Sequence, residues 1–224
     1  MKAVLQRNSI FIGLSLILIV VLGLALLYIP KGELHLLLCD RHTPARDIFY
    51  RYYTRVGEWF PYVLAIALLL FSRIGDGVFA ASGMLLSALT TQLFKFLINA
   101  PRPATWFAEH MPEVSLPLVD GVTLNYWFSF PSGHTTSFFA LALVLSIILS
   151  RSSRISRISS ILIQVALFAL AALGAYSRIY LSQHFAFDVL AGIIVGNCIT
   201  LLSYAILQRY EHQKWYNYRL ITKK

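Results

Sequence analysis

Three short strings carry most of the reactive side chains of a largely apolar chain. The first is Lys95 with Arg102-Pro103 seven residues on, the second Pro131-Ser132-Gly133-His134, and the third Ser177-Arg178 with His184 and Asp188 downstream. They supply three cations, a glycine-containing turn before a helix, two imidazoles and one carboxylate. Guanidinium forks and the free N–H groups of a helix N-terminus hold phosphate oxygens. An imidazole that gives one N–H to a carboxylate keeps the other nitrogen as a nucleophile. The inventory suits gripping a phosphate and displacing it with a histidine.

Each string can be read residue by residue. Lys95 sits in an apolar run, where an ionisable group costs about 2.5–3.5 kcal/mol on insertion scales unless it snorkels or serves a site. Arg102 lies about two helical turns further on. Pro101 and Pro103 bracket it, end the helix and fix its direction. Ser132 can cap the helix that follows and Gly133 lets backbone approach a ligand. His134, in the first turn, could protonate a leaving oxygen. If the helix of the third string has begun by His184, Asp188 lies on the same face at i+4. Arg178 can reach the same pocket from the preceding turn.

The elements that must position these residues are membrane spans. The chain has 224 residues, 58% hydrophobic and 13% charged, with a formal charge of +9. Soluble domains are about 25% charged, so a single membrane-embedded domain over residues 1–224 is expected, its motif core at 95–188. The basic residues are dispersed or flank apolar runs, which points to a membrane surface and not to nucleic acid. Apolar runs predict an all-α bundle of six spans, Ser9–Ile29, Trp59–Ser72, Val78–Ile98, His134–Ser150, Ile161–Ser177 and Phe187–Leu207. Arg73 to Gly77 reads as a tight turn. Thr43 to Phe60 reads as an interfacial helix with Thr43 as N-cap and Pro44 at the first position. Asn99 to Phe130 reads as a long, aromatic outer loop. Cys39, in a polar connection, and Cys198, in an apolar run, are expected to be unpaired.

Orientation follows the positive-inside rule. Eleven of the nineteen basic residues collect on one side (Lys2, Arg7, Arg73, Arg151, Arg154, Arg157, Arg209, Lys214, Arg219, Lys223 and Lys224) and five on the other. The remaining three are Lys95, Arg102 and Arg178. The richer side is expected to be cytoplasmic and to hold both termini. The three strings then face the periplasm from a bacterial inner membrane.

The strings match in full, and in order, the signature K-x6-R-P, P-S-G-H and S-R-x5-H-x3-D. The chain therefore resembles the type 2 phosphatidic acid phosphatase family, which shares its helical fold with vanadium haloperoxidases. The resemblance implies that Lys95, Arg102, Ser132, Gly133 and Arg178 bind phosphate and that His184 attacks phosphorus to form a phosphohistidine. It implies that Asp188 orients and charge-balances His184 and that His134 protonates the leaving group. No metal or other cofactor is implied, and the sequence has no CxxC or HExxH spacing. The expected substrate is a lipid phosphomonoester or diphosphate within the bilayer: lipid A, undecaprenyl diphosphate, phosphatidylglycerophosphate or phosphatidic acid. The aromatic loop and basic interfacial helix favour lipid A or another envelope lipid. No obligate protein partner is evident. Phosphotransfer to a hydroxyl would use the same residues. A transporter would need polar groups spread through the bilayer depth, whereas these cluster at one end.

Overall fold

A computed structural model describes residues 1–220 as helices joined by connections of which one, between His110 and Gly133, is long, without a strand among the described residues. Lys223 and Lys224, counted above on the basic side, lie outside the described residues. The helices are α1 (Lys2–Arg7), α2 (Ser9–Tyr28), α3 (Lys31–Cys39), α4 (Pro44–Tyr53), α5 (Trp59–Ser72), α6 (Ile74–Ile98), α7 (Pro103–His110), α8 (Gly133–Ser150), α9 (Arg157–Tyr180), α10 (Ala186–Leu207) and α11 (Lys214–Asn217). Five of them, α2, α6, α8, α9 and α10, are long and apolar enough to cross a membrane. The sixth expected span is α5, which at 14 residues reaches only about 21 Å. With α4 and the 3-10 turn Thr54–Gly57 it forms a pair bent by 49°, and the two together can complete a crossing.

α8 is the centre of the bundle and packs against α6, α9 and α10. Phe139, Leu143, Val144 and Ile147 on it are fully buried. The approach of α10 to α8 depends on two glycines four residues apart. A Cβ at Gly192 would lie 2.8 Å from the Ser132 carbonyl oxygen, and one at Gly196 2.7 Å from that of Thr136. Small residues at this spacing let membrane helices come together closely. The contact also fixes the start of α8, where Ser132 and Gly133 stand, against α10.

Several boundaries differ from those read in the sequence. Thr43 caps α4 as expected, its Oγ1 accepting from the Arg46 N–H at 3.3 Å. The helix stops at Tyr53, however, and does not run to Phe60. Residues 74–77 are the first turn of α6, so the turn after α5 is Arg73 alone. Cys39 ends a helix, α3, and is buried; Cys198 is exposed, and neither is bonded. The 99–130 connection contains α7, which starts on Pro103 at its first position. Both described ends of the chain lie at one end of the bundle: the Met1 ammonium donates to Gln208 Oε1 at 3.1 Å, just past α10, and the Tyr218 carbonyl accepts from the Ile74 N–H at the start of α6. They lie at the end of the bundle away from Lys95 and Gly133.

Candidate active site

The site is built from four connections at one end of the bundle. α6 closes on Asn99, whose left-handed backbone (φ 42°) suits an Asn C-cap. Three residues later Arg102 turns inward, held from both sides. Its N–H donates to the Tyr126 carbonyl at 2.8 Å, its Nε to the Trp127 carbonyl at 2.9 Å and its Nη1 to the backbone and side-chain oxygens of Gln183, each at 3.2 Å. Nη2 makes none of these bonds. The long loop thus works as a clamp on Arg102, and Phe128 within it holds a left-handed backbone (φ 58°).

The Pro-Ser-Gly-His string starts α8. Ser132 is its N-cap, with Oγ accepting from the Thr135 N–H at 3.4 Å and from the Thr135 hydroxyl at 2.9 Å. The Ser132 N–H donates to the Asp188 carbonyl at 3.0 Å, which ties the second string to the third. The third string turns at Leu181–Phe185, where the Arg178 carbonyl accepts from the N–H groups of Gln183 (3.0 Å) and His184 (3.1 Å). Ser182 there has φ 50°. α10 begins only at Ala186, after His184, so the pair does not share a helical face as the spacing suggested. The contact survives by another route. Asp188, in the first turn, accepts the Phe185 N–H at 2.9 Å and the Ser129 hydroxyl at 2.5 Å, and Oδ2 stands 3.5 Å from His184 Nδ1. Ser129 Oγ lies 3.4 Å from the same nitrogen. With Nδ1 facing these oxygens, Nε2 is the nitrogen left for chemistry.

Arg178, His184 and Asp188 are almost wholly buried, and Arg102 is 7% exposed. The Arg178 Nη1 donates to Thr54 Oγ1 at 2.6 Å, while its Nε is buried without a partner among the described residues. A buried, unsatisfied donor of this kind costs about 1–3 kcal/mol or more. None of Lys95, Arg102 and Arg178 forms an ion pair among the described residues. All three act on His184, and His134 lies within reach of the same field. Burial first, and then Arg102, Arg178 and Lys95, hold the His184 imidazole well below its usual range, so it is neutral at pH 7. Lys95, Gly133 and His134 line one cavity of about 370 Å³ between α5, α6 and α8. All eight residues singled out in the sequence therefore stand at the same end of the bundle.

Sequence reasoning missed Ser129, Gln183 and Thr54, which hold Asp188, Arg102 and Arg178. It also missed Lys31, whose Nζ lies 4.0 Å from the centre of the Phe185 ring over the start of α10. His35, beside it on α3, is fully buried, with Nε2 3.3 Å from Ser182 Oγ.

Comparison with known proteins agrees with this geometry. Residues 76–211 match the model of the PAP2 superfamily, well over half of the chain. The chain is 28% identical to the lipid A 4'-phosphatase of Porphyromonas gingivalis, over 77% of its own length and 70% of that protein. It is 30% identical to dolichyldiphosphatase 1 of Dictyostelium discoideum, over 64% of its own length and 57% of that protein. The crystal structure of Aquifex aeolicus LpxE superposes with a TM-score of 0.60 at 27% identity, covering 77% of this chain and 93% of that one. The phosphatidylglycerolphosphate phosphatase of Bacillus subtilis shares the fold, with a TM-score of 0.65 at 21% identity over 94% of this chain and all of that one. The chain belongs to the PAP2 superfamily and is a multi-pass membrane hydrolase of phosphoric ester bonds.

Proposed function

We propose that this enzyme removes phosphate from a lipid phosphomonoester or diphosphate at the outer face of a bacterial inner membrane, through a phosphohistidine on His184. The observation that carries this reading is a buried imidazole surrounded by three cations that have no ion pair among the described residues, one of which keeps an orphan donor. Such a place fits an anion with several oxygens and a nucleophile beside it. Lys95, Arg102 and Arg178 hold the phosphate oxygens, helped by Ser132 and the Gly133 N–H at the positive end of α8. His184 Nε2 attacks phosphorus; the P–N bond forms as the P–O bond to the lipid breaks. The departing oxygen takes a proton from His134. The negative phosphate offsets the cations around His134 and lets that imidazole hold the proton it gives. Asp188 and Ser129 balance the charge that His184 acquires. Water then attacks the phosphohistidine, giving up its proton to His134 and releasing phosphate. The cations stabilise the dispersed charge of a loose transition state, with no metal required.

The leaving group would occupy the cavity beside His134. Glu58 and the hydroxyl-bearing Tyr62, Ser87 and Thr91 line it, and those three hydroxyls have no partner among the described residues. Polar lining at this depth favours a leaving group that carries its own polar atoms, such as an acylated sugar or glycerol. The likeness to a lipid A 4'-phosphatase points the same way. The likeness to a dolichyldiphosphatase supports a second reading, in which the leaving group is a prenyl phosphate. A panel of lipid phosphates assayed with purified enzyme in mixed micelles separates them. The first reading expects the highest kcat/KM on acylated sugar or glycerol phosphates. A preference of about tenfold or more for prenyl diphosphates would replace it by the second, and no phosphate release from any member would refute both.

A further inference from the structure

A second basic cavity, of about 600 Å³, lies at the opposite end of the bundle from His184. Three separate parts of the chain converge on it. Arg73 comes from the single-residue break between α5 and α6, Arg151 and Arg154 from the segment after α8, and Arg219 from the residues after α11. The terminal segment is docked there by the Ile74 N–H, which donates to the Tyr218 carbonyl at 3.0 Å. Four guanidiniums therefore line a space that holds one carboxylate, Asp76.

Asp76 is spent on two of them. Arg73 grips it with Nε and Nη2 at 3.1 and 2.6 Å, and Arg151 Nη1 reaches it at 3.1 Å. Those two side chains are also braced by aromatic faces, Arg73 over Tyr216 and Arg151 over Tyr204. The Arg151 Nη2 remains: it stands 3.1 Å from Glu211 Oε1 but makes no hydrogen bond of proper geometry and is buried. Arg154 and Arg219 have no ion pair among the described residues. Asp76 thus builds a fixed floor of two arginines, and the two others supply charge that no described residue pairs with. Ser152 and Ser153 add hydroxyls at the rim, and Ile148 and Leu149 an apolar wall where α8 enters the bilayer.

We propose that this cavity binds the phosphate of an anionic bilayer lipid, its glycerol and first acyl carbons resting on the Ile148–Leu149 wall. Guanidinium forks match phosphate oxygens bidentately. Basic pockets at the ends of membrane helices recognise the headgroups of anionic lipids. The apolar wall beside the charges favours a lipid over a free anion. The site lies on the side where the sequence gathers its basic residues and is distinct from the site of His184.

Native mass spectrometry and thermal unfolding of purified protein, with phosphatidylglycerol, phosphatidylcholine or inorganic phosphate added, test this. The expected result is retention of phosphatidylglycerol over phosphatidylcholine, with a rise in Tm that inorganic phosphate at equal concentration does not give. Substituting both outer arginines (Arg154→Gln with Arg219→Gln) leaves Asp76 and its two partners in place. The doubly substituted protein should keep the wild-type Tm without lipid and bind phosphatidylglycerol at least about tenfold more weakly. Unchanged binding in that variant overturns the site. Stabilisation by inorganic phosphate alone, lost in the variant, overturns the lipid and reassigns the cavity to a soluble anion. Neither readout uses turnover, so the outcome is independent of the proposed reaction.

Discussion

In the proposed reaction His184 is the residue on which the chemistry turns, and its neighbours predict how it titrates. The folded protein holds its imidazole well below the ordinary range of about 6.5, through burial and three cations. Its neutral form, the one the proposed attack requires, therefore persists as pH falls through 6.5. In an NMR titration of histidine-labelled protein, the signal lost in His184→Ala should stay that of a neutral ring at pH 6; a midpoint near 6.5 would contradict the electrostatics described. His134→Ala should cost about 10²–10⁴-fold in kcat on a lipid alkoxide and far less on an activated aryl phosphate, if His134 is the acid. Equal losses on both would argue against that role. Ser129→Ala should lower kcat roughly tenfold with KM nearly unchanged, because Ser129 acts through Asp188. Partial recovery in Ser129→Thr and a shifted His184 titration would separate positioning from loss of fold. The eight candidate residues stand out in the sequence because they are charged, capping or imidazole residues in or beside apolar runs and fall at the spacing of a family signature. Ser129, Thr54 and Gln183 do not. A neutral hydroxyl or amide in a loop carries no such signal, and its partners are set only by folding.

Among the elements, the junction of α8 and α10 decides whether the site is assembled. The Ser132 N–H meets the Asp188 carbonyl there, and Gly192 lies against Ser132 with no room for a methyl group. Gly192→Ala should destabilise the protein by about 1–3 kcal/mol through overpacking and should also lower kcat, since the atoms displaced belong to the cap of α8. Thermal unfolding and turnover measured on one preparation check this; a variant with wild-type Tm and kcat would show that the contact is not restrictive. Helix existence was legible for the long spans, where apolar runs leave little choice. The short elements were less so. α3 spans only nine residues, and α7 begins at a proline inside a stretch whose polarity reads as loop. The span Phe187–Leu207 matches α10 to within one residue, but whether the helix already included His184 was left open, because Phe185, an apolar N-cap, gives no capping signal. The Asp188 side chain stops the helix there by taking the Phe185 N–H.

For the molecule as a whole, the two ends of the bundle are chemically unlike, one with His184 and its cations and the other with both described chain ends and a second arginine cluster. The count of basic residues sets the expected orientation, and cysteine labelling can read it. With Cys198 replaced by Ser, Tyr126→Cys should react with an impermeant maleimide added outside intact cells, and Gln213→Cys only after lysis; the reverse pattern would invert the proposed face. Acid should also loosen the fold. His35 is held at about 4, chiefly by burial, against about 6.5 in an unfolded chain. Between those values the unfolded state binds the proton and the folded state does not, so stability falls as pH drops from about 6.5 to about 4. A His35→Gln protein should lose less Tm over that window than wild type; identical slopes would remove His35 from the cause.

The most direct measurement is chemical trapping of the covalent intermediate. Purified enzyme, mixed briefly with a ³²P-labelled lipid phosphate substrate and quenched in base, should carry an acid-labile, base-stable label on the peptide containing His184. His184→Ala should carry none and turn over at least about 10³-fold more slowly. Label on another residue, or wild-type turnover by His184→Ala, would contradict attack by this histidine.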